Sequence, residues 1–297
     1  MLTVVLAAAF SAPVDAWGRD GHEIVAGIAN FSLSASSRRV SLSVLNGKSL
    51  SDVANWADDI ASDIPWSYGL HFINVMQSPC ENDGDCMFVY SRDCVDDLCV
   101  AGAILNYTDS LSTSLKENKT EYSLIAENSL RFIVHYMGDI HQPLHSARDY
   151  DRGGNNIDVV FYVPGQGSDW NLHNVWDFGL IVRTINESFA GSKNAFTVSL
   201  LQQLENDYSP SDIIEWTQCI SLLPKGDISG LKSCVEEWAQ ESLSLALSDS
   251  YLDEHGIKIV SGDEISDAYW QARIKPVQER LIMSGVRLAA IIEFAYN

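Results

Sequence analysis

The chain has few basic residues for its size. It contains 19 lysines and arginines against 40 aspartates and glutamates, which gives a formal net charge of −21. So acidic a protein is not expected to bind long duplexes tightly and without specificity, because a partner of a polyanion normally carries a basic patch. Bound metal ions could still supply positive charge locally, since the potential of a site and the net charge of the chain are different quantities.

Long hydrophobic runs are also missing beyond the N-terminus. Residues 281–296 are too short for the roughly 20 apolar residues that a transmembrane helix needs, and they include Arg287 and Glu293. Residues 1–16 are apolar and end in Val14-Asp-Ala16, a pattern typical of a secretory signal peptide, although no basic residue follows Met1. The alternative is a short N-terminal core strand. We expect a signal peptide over residues 1–16 and a soluble product without stable membrane association, either secreted or held in a vacuole or lysosome.

No Cys-x-x-Cys pair occurs, which disfavours a cysteine-bound zinc site. An even number of cysteines, six, instead fits disulfides formed in an oxidising compartment. We expect Cys94 to pair with Cys99 locally. The other four are expected to link the cysteine-rich loop to the C-terminal third, joining Cys80 and Cys86 to Cys219 and Cys234. Four Asn-x-Ser/Thr sequons are typical of a glycoprotein, at Asn30, Asn106, Asn118 and Asn186.

Internal repeats, long linkers and low-complexity runs are absent, so a single catalytic domain over residues 17–297 is expected. Helical spacing of apolar residues dominates, and the one clear strand signal is Ile157–Val163 followed by a Pro-Gly turn. Pro143 should interrupt or follow the helix that carries Asp139, and Pro276 should kink or split the last helix. The prediction is an all-α fold with at most a small β-hairpin. The predicted helices cover residues 21–30, 36–45, 56–60, 100–115, 121–138, 172–182, 194–206, 211–222, 231–247 and 265–294.

Histidine is present at spacings that suit a metal. The segment His135-Tyr-Met-Gly-Asp139-Ile-His141-Gln-Pro-Leu-His145 begins with a histidine and an aspartate four residues apart, and His173-Asn-Val-Trp-Asp177 repeats that spacing. On a helix such a pair lies on one face and can direct an imidazole and a carboxylate at one ion. Two pairs beside further isolated histidines and aspartates argue for several metal ions.

The mature N-terminus is a further candidate ligand. If cleavage follows Ala16, Trp17 gains a free α-amino group, which can chelate an ion together with the Trp17 carbonyl oxygen. His22 lies five residues further on and could reach the same ion. The alternative for Trp17 is an aromatic side chain packed in the core.

Read in order, these residues resemble the zinc-dependent, single-strand-specific nuclease family (nucleases S-one and P-one, mung bean nuclease and plant bifunctional nucleases). The string Gly-Asp-Ile-His-Gln-Pro-Leu-His is the most specific part, and the match becomes general beyond Asp177. The resemblance implies a helical fold of the phospholipase C and P-one nuclease type and three zinc ions. All nine ligand positions of the family are present: Trp17, His22, Asp58, His71, His135, Asp139, His145, His173 and Asp177.

The same resemblance assigns these residues to ions. Asp58, His71, His135 and Asp139 hold the first ion, and His145, His173 and Asp177 hold a second, more exposed one. Trp17, His22 and again Asp139 hold the third, so that Asp139 bridges a close pair. Zinc would activate a water that attacks phosphorus and leaves 5′-phosphate products, which gives Asp58 and Asp139 a catalytic role. The implied substrates are single-stranded DNA and RNA, with 3′-nucleotides as a further class.

Substrate contacts are implied at three positions. Phe72 corresponds to the family's base-stacking aromatic, although by itself it could be a core residue. Asn74 stands where the fungal pattern has an aspartate that bonds the base edge, which puts the base preference in doubt. Asn155 and the backbone of its loop are expected near the metals, with catalytic and substrate-binding roles; a plain turn is the alternative.

Position 61 is a second departure, because the family commonly has a lysine or arginine there and this chain has Ala61. We expect a lower turnover than in typical members unless another cation, such as Arg148 or Arg152, substitutes. Introducing an arginine at Ala61 tests this hypothesis.

Other polar and aromatic residues have simpler interpretations. His141 is expected beside the ligands or at the surface without binding metal, His255 in a polar loop, and Asp59 as a weaker competitor of Asp58. The tryptophans expected to serve packing rather than base binding are Trp56, Trp66, Trp170 and Trp176.

Two rival functions remain open. A zinc phospholipase C shares the fold and the N-terminal tryptophan, but commonly has Glu where this chain has Asp177. A non-catalytic, secreted zinc-binding protein is the other. No obligate protein partner is indicated, and a monomer is expected.

Overall fold

The protein is mainly helical, as predicted. The computed structural model describes residues 17–76, 86–117, 122–167 and 169–297, so the predicted signal peptide, Cys80 and the sequon at Asn118 lie outside the described residues. The α-helices are α1 (Gly18–Ser32), α2 (Ala35–Val44), α3 (Leu50–Val53), α4 (Trp56–Asp59), α5 (Tyr90–Asp93), α6 (Val100–Glu117), α7 (Leu124–Asp139), α8 (Leu172–Asn174), α9 (Leu180–Ser188), α10 (Lys193–Asn206), α11 (Pro210–Ser221), α12 (Ile228–Leu245) and α13 (Asp267–Tyr296). Short 3₁₀ turns lie at Pro65–Leu70, Val95–Asp97 and Pro143–His145, and π-helical turns at Val175–Gly179 and Ala246–Ser250.

Serine side chains define where many of the helices begin. Each capping serine accepts a hydrogen bond from the backbone amide three residues later, which satisfies a donor that the first turn leaves without a partner and is worth about 1 kcal/mol. These caps are Ser34, Ser49, Ser123, Ser192, Ser209 and Ser266.

The C-terminal helix α13 runs unbroken through the core. A Cβ added at Gly285 would lie 2.6 Å from the Cβ of Ile28, so glycine permits the close approach of α13 to α1. Pro276, predicted to kink or split the last helix, does not split it, since α13 continues through the proline. Val277 and Leu281, just beyond the proline, are fully buried. Their packing offsets the hydrogen bond that a proline cannot make.

Two small sheets accompany the helices. Strands β3 (Asp158–Phe161) and β4 (Asp169–Asn171) form the predicted antiparallel hairpin, and β5 (Glu264–Ile265) extends it in parallel with β3. A separate parallel pair joins β1 (Ile73–Val75) to β2 (Ser146–Arg148) and was not predicted. Strands of three residues are too short to show a periodic pattern.

The disulfides confirm one predicted pairing and correct the other. Cys94 is bonded to Cys99, as expected. Cys219 is bonded to Cys234 with their Cα atoms 5.5 Å apart, so the predicted link from this pair to Cys80 and Cys86 is wrong. The reason is that α11 and α12, which carry the pair, pack against each other. Cys86 is also disulfide-bonded.

Within the described residues, no helix is long and apolar enough to cross a membrane.

Candidate metal centre and substrate cleft

The parallel strand pair brings two histidines together. His71 lies two residues before β1, and His145 lies directly before β2. Because Ile73 is opposite Ser146 in the pair, the chain segments that precede the two strands are also neighbours. The His145 Nδ1–H donates a hydrogen bond to the backbone carbonyl of His71 at 2.8 Å. The unpredicted sheet therefore holds His71 and His145 next to each other.

The first group of side chains collects around Asp139 at the end of α7. Its Oδ1 lies 3.3 Å from His22 Nε2 and 3.5 Å from His135 Nε2, and its Oδ2 lies 3.0 Å from His71 Nδ1. Asp58 Oδ1 is 3.2 Å from His135 Nε2 and 3.4 Å from His71 Nδ1. Five of the predicted ligands thus meet at one buried place. Four lie on helices α1, α4 and α7, and His71 follows the 3₁₀ turn Pro65–Leu70.

The second group lies beyond His145. His173 Nε2 is 3.2 Å from His145 Nε2 and 3.3 Å from Asp177 Oδ2, and His145 Nε2 is 3.5 Å from Asp177 Oδ1. Asp177 sits in the π-helical turn that follows α8, a departure from regular α-helix that is frequent at functional sites. The Pro143–His145 turn, which ends the helical path of α7 as predicted, presents His145 to this group.

Backbone carbonyls fix the orientation of three of these rings. The Nδ1–H groups of His135, His145 and His173 donate to the carbonyls of Ala54, His71 and Gly153 at 2.7, 2.8 and 2.7 Å. A carbonyl can only accept, so Nδ1 carries the proton and Nε2 presents its lone pair to the group. Histidines that bind metals are commonly oriented through their other nitrogen in this way.

The donor atoms of these groups fit metal ions. Among the buried polar atoms without a hydrogen-bond partner are both carboxylate oxygens of Asp139, the Nε2 atoms of His22 and His135, and the Nδ1 atom of His71. Such a concentration of unpaired atoms is costly in a protein interior unless a cation satisfies them. In the second group the Nε2 lone pairs of His145 and His173 face each other at 3.2 Å, which is favourable with a cation between them. Nitrogen and carboxylate oxygen are ligands that zinc prefers.

Charge and burial oppose each other in the first group. Burial lowers the pKa of His135, but Asp139 and Asp58 outweigh it and raise that pKa to about 10. Burial likewise raises the pKa of Asp139, yet the neighbouring histidines hold it well below its usual range. Asp58 and Asp139 thus favour a positive charge beside them, which a bound metal ion would supply in place of a proton.

Burial dominates in the second group. It raises the pKa of Asp177 to about 7 and lowers the pKa values of His145 and His173. Neutral imidazoles are ready to bind a metal, whereas the Asp177 carboxyl must first lose its proton.

Trp17 is buried at the start of α1. Its side chain is fully buried, and its carbonyl accepts a hydrogen bond from the Gly21 amide at 3.1 Å. The Trp17 indole is therefore packed in the core, which was the alternative considered for this residue. Metal binding by the amine and carbonyl uses other atoms of the residue, so the two predicted roles are compatible. The residues before Trp17 lie outside the described part of the chain.

An open cleft of about 370 Å³ adjoins the second group at His173. It brings together the three residues predicted to contact substrate, Phe72, Asn74 and Asn155. Phe72 is half-buried and Asn74 is exposed, so Phe72 is not a core residue. Tyr68 also lines the cleft and meets the Phe72 ring edge-on, with ring centroids 5.8 Å apart.

The loop from Asp151 to Asn155 contributes three of the residues that line the cleft, Arg152, Gly153 and Asn155. Asp151 Oδ1 accepts hydrogen bonds from the Gly154 amide at 2.9 Å and from the Tyr251 hydroxyl at 2.8 Å. The Asn155 amide donates to the Arg152 carbonyl at 2.9 Å. A Cβ added at Gly153 would lie 2.2 Å from the Leu144 carbonyl oxygen, and φ there is +61°, so this position requires glycine. The loop is a tightly bonded turn that also lines the cleft.

Several candidates lie outside the two groups. Asp59 pairs with Arg19 at the surface and not with the histidines. His141 is buried, bonded to the Met137 carbonyl at 2.8 Å and 3.1 Å from Arg287, away from both groups. His255 is exposed, as expected of a polar loop. The packing role predicted for Trp66 is wrong, because its 3₁₀ turn leaves 62% of it exposed; Trp176 and Trp170 are buried.

Sequence reasoning missed two residues of the site. Gln142 is fully buried, donates through Nε2 to Asp177 Oδ1, and accepts from the Leu144 amide at 2.5 Å. Only its position inside the histidine-rich motif could have indicated a role for Gln142, because its partner Asp177 is 35 residues away in the sequence. The only indication that Tyr68 lines the cleft was that it is an aromatic residue four positions before Phe72.

A mainly helical fold with buried histidine and aspartate groups beside an aromatic-walled cleft defines a metal-dependent hydrolase. Residues 17–297 match the family model of the S1/P1 nucleases, and the chain belongs to this family. It is 31% identical to Nuclease P1 of Penicillium citrinum over 282 residues, covering 92% of this chain and 95% of that protein. It is 32% identical to Nuclease S1 of Aspergillus oryzae over 285 residues (93% and 91%) and 32% identical to Endonuclease 5 of Arabidopsis thaliana over 293 residues (95% and 90%).

Proposed function

We propose that this protein is a zinc-dependent phosphodiesterase that cleaves single-stranded DNA and RNA to 5′-phosphate products and also acts on 3′-nucleotides. The observation that carries the proposal is the pair of buried His/Asp groups, with unpaired donor atoms, beside a cleft in a member of the S1/P1 nuclease family. The nuclease names of the relatives support a hydrolase of phosphodiester bonds and do not favour a phospholipase.

Three zinc ions are proposed. Asp58, His71, His135 and Asp139 hold the first. His145, His173 and Asp177 hold the second. The Trp17 amine and carbonyl, His22 and Asp139 hold the third. When bound, the ions supply an activated water and positive charge at the phosphate.

The protein's own residues orient the substrate. Phe72 offers an aromatic face to a base, a contact worth about 1–3 kcal/mol that does not depend on base identity. A base can reach that face only when it is unstacked, which favours single strands over duplexes. Asn74 offers both a donor and an acceptor to the base edge. Asn155 lines the same cleft and would contact the sugar–phosphate chain.

The mature enzyme is proposed to begin at Trp17, as a single catalytic domain over residues 17–297. Residues 1–16 act as a signal peptide, and the product is a secreted or vacuolar glycoprotein that works as a monomer. Asn106 is exposed on α6, which suits a glycan.

The test compares three substrates on the purified mature protein: single-stranded DNA, 3′-AMP and phosphatidylcholine. Each is assayed as prepared, with a chelator, and after zinc is added back. Release of 5′-phosphate ends that the chelator abolishes and zinc restores is expected, and the 3′-AMP rate measures the breadth of activity. Cleavage of the lipid alone would make the protein a phospholipase C. No turnover of any substrate by the zinc-bound protein would make it a binding protein.

A further inference from the structure

Arg152 is the one arginine or lysine among the described residues that line the cleft. It lines the cleft together with Phe72 and Asn155, and it is next in sequence to Gly153, whose carbonyl orients His173. A polynucleotide whose base rests on Phe72 brings its phosphates into the same cleft.

The Arg152 side chain is exposed, and no carboxylate of the described residues forms an ion pair with it. Arginines that do form ion pairs include Arg19, Arg92, Arg131, Arg183, Arg273, Arg280 and Arg287. Arg38 and Arg39 on α2 also lack one among the described residues, but neither lines the cleft. The Arg152 guanidinium is thus left available in a cleft that must receive a polyanion.

The backbone holds Arg152 at this position under strain. Its φ is +55°, in the left-handed region that residues other than glycine rarely adopt. The Arg152 amide donates to the Asp149 carbonyl at 3.1 Å, and the Arg152 carbonyl accepts from the side-chain and backbone amides of Asn155 at 2.9 and 3.3 Å. Such strain persists only where surrounding contacts fix it, and it concentrates at functional sites.

Arg148, the other cation considered as a substitute at position 61, is buried, donates to the Tyr150 hydroxyl at 2.9 Å and lies over the Tyr251 ring. Arg148 does not line the cleft.

We propose that Arg152 binds the phosphate backbone of the single strand in this cleft and supplies the positive charge that Ala61 does not. An arginine suits this role because its planar fork can donate two hydrogen bonds to phosphate oxygens. The proposal rests on the proposed nuclease function, and it assigns a specificity-determining contact to a residue outside the metal groups.

The first test measures equilibrium binding of a fluorescent phosphorothioate oligothymidylate to the zinc-loaded protein over a range of NaCl concentrations. Arg152→Gln should weaken binding about tenfold at low salt and reduce the slope of log affinity against log salt by about 0.7, the value for one single-strand phosphate contact. Arg152→Lys should keep the slope. The matched control is Arg39→Gln, which removes the same charge from an exposed position on α2 and should change neither quantity. Equal effects of Arg152→Gln and Arg39→Gln would overturn the proposal.

A second measurement separates phosphate from base contact. Arg152→Gln should weaken inhibition by thymidine 5′-phosphate about tenfold and leave inhibition by thymidine unchanged, since only the former carries a phosphate. Equal weakening of both ligands would mean that Arg152 stacks on the base, which contradicts the proposal.

The link to position 61 is tested by a double-mutant cycle. Ala61→Arg should raise kcat/KM on single-stranded DNA by a larger factor in the Arg152→Gln protein than in the parent, because the two cations then serve the same phosphate chain. Equal factors in both backgrounds would refute the compensation. If the parent protein binds the oligonucleotide but cleaves nothing, the nuclease function fails, and the salt-dependent binding still decides the role of Arg152.

Discussion

Gln142 contacts both metal groups, the second through its side chain and the first through its backbone. Its Nε2 donates to Asp177, its Oε1 accepts from the Leu144 amide, and its backbone amide donates to the Asp139 carbonyl at 3.0 Å. The residue therefore orients a carboxylate of the second group while it shapes the turn that presents His145. A hydrogen-bonded neighbour of this kind tunes metal affinity without binding the metal.

Replacing Gln142 with leucine should weaken zinc binding by the second group about 10–100-fold, because Asp177 loses the donor that holds it. The measurement is zinc per protein by mass spectrometry during titration with a chelator of graded strength. Gln202→Leu, at an exposed position of α10, is the matched control. If both variants release zinc as the parent does, Gln142 has only a packing role.

The raised pKa of Asp177 makes metal binding by the second group depend on pH. Burial raises its pKa to about 7, so in the metal-free protein its protonated form favours folding at low pH, and that contribution is lost as the pH rises through 7. Zinc requires the carboxylate, so the sign is reversed for metal binding. Below pH 7 the affinity of the second group should fall about tenfold per pH unit from this residue alone. Calorimetric zinc titrations between pH 5 and 8 test this, and an affinity that does not change with pH would contradict it.

Spacing in the sequence predicted two pairs of site residues, because metal ligands are of few types and residues four apart lie on one face of a helix. His135 with Asp139 and His173 with Asp177 were predicted in this way, and the structure brings both pairs into the groups expected. The other ligand positions came from the family resemblance. Gln142 and Tyr68 were not predicted, since an amide or a phenol has many ordinary uses and their partners are defined only by the fold. The burial of His141 could not be predicted either, because its neighbour Arg287 is 146 residues away in the sequence.

At the scale of elements, the contact between α1 and α7 depends on Gly138, which has no side chain. A Cβ added at Gly138 would lie 2.6 Å from His22 Nδ1. The space lets the His22 ring stack on His135, with ring centroids 3.9 Å apart. The glycine in the Gly-Asp-Ile-His motif thus allows two helices to bring their ligands together.

Gly138→Ala should displace His22 and lower the activity about a hundredfold, the usual result of a shift near 1 Å at a reacting centre. The zinc content should fall, with the ion assigned to His22 lost first. Gly27→Ala on α1 is the control, because its added Cβ meets no atom closer than 3.7 Å and alanine favours a helix. An active Gly138→Ala protein with unchanged zinc content would show that His22 can move without consequence.

The elements predicted well were those with a long repeating pattern. Helices such as α6 and α10 matched within a few residues, since an apolar face that repeats every 3.6 residues over several turns is hard to mistake. The parallel pair of β1 and β2 left no pattern, although it positions His71 and His145. Pro276 misled because local preference was overridden by the packing of α13 in the core.

At the scale of the whole molecule, the proposed metal centre makes activity depend on where the mature chain begins. The proposed third zinc ion uses the Trp17 amine, and an amide nitrogen in a longer chain cannot replace it. A protein that begins at Ala16 should bind about one zinc ion fewer and lose most of its activity, because the amine that completes the site has become an amide. The comparison needs matched proteins beginning at Trp17 and Ala16, with the N-terminus verified by mass spectrometry. Full activity of the longer protein would remove Trp17 from the ligand set.

The packing of α13 against α1 also constrains when the metal centre can assemble. All predicted ligands precede residue 178, yet α1, which carries His22, is enclosed by α13 at Gly285. During synthesis the ligands therefore emerge long before the helix that buries their support. The helix that packs on α1 is therefore the last to be made, so His22 can reach its full burial only after the whole chain has been synthesised.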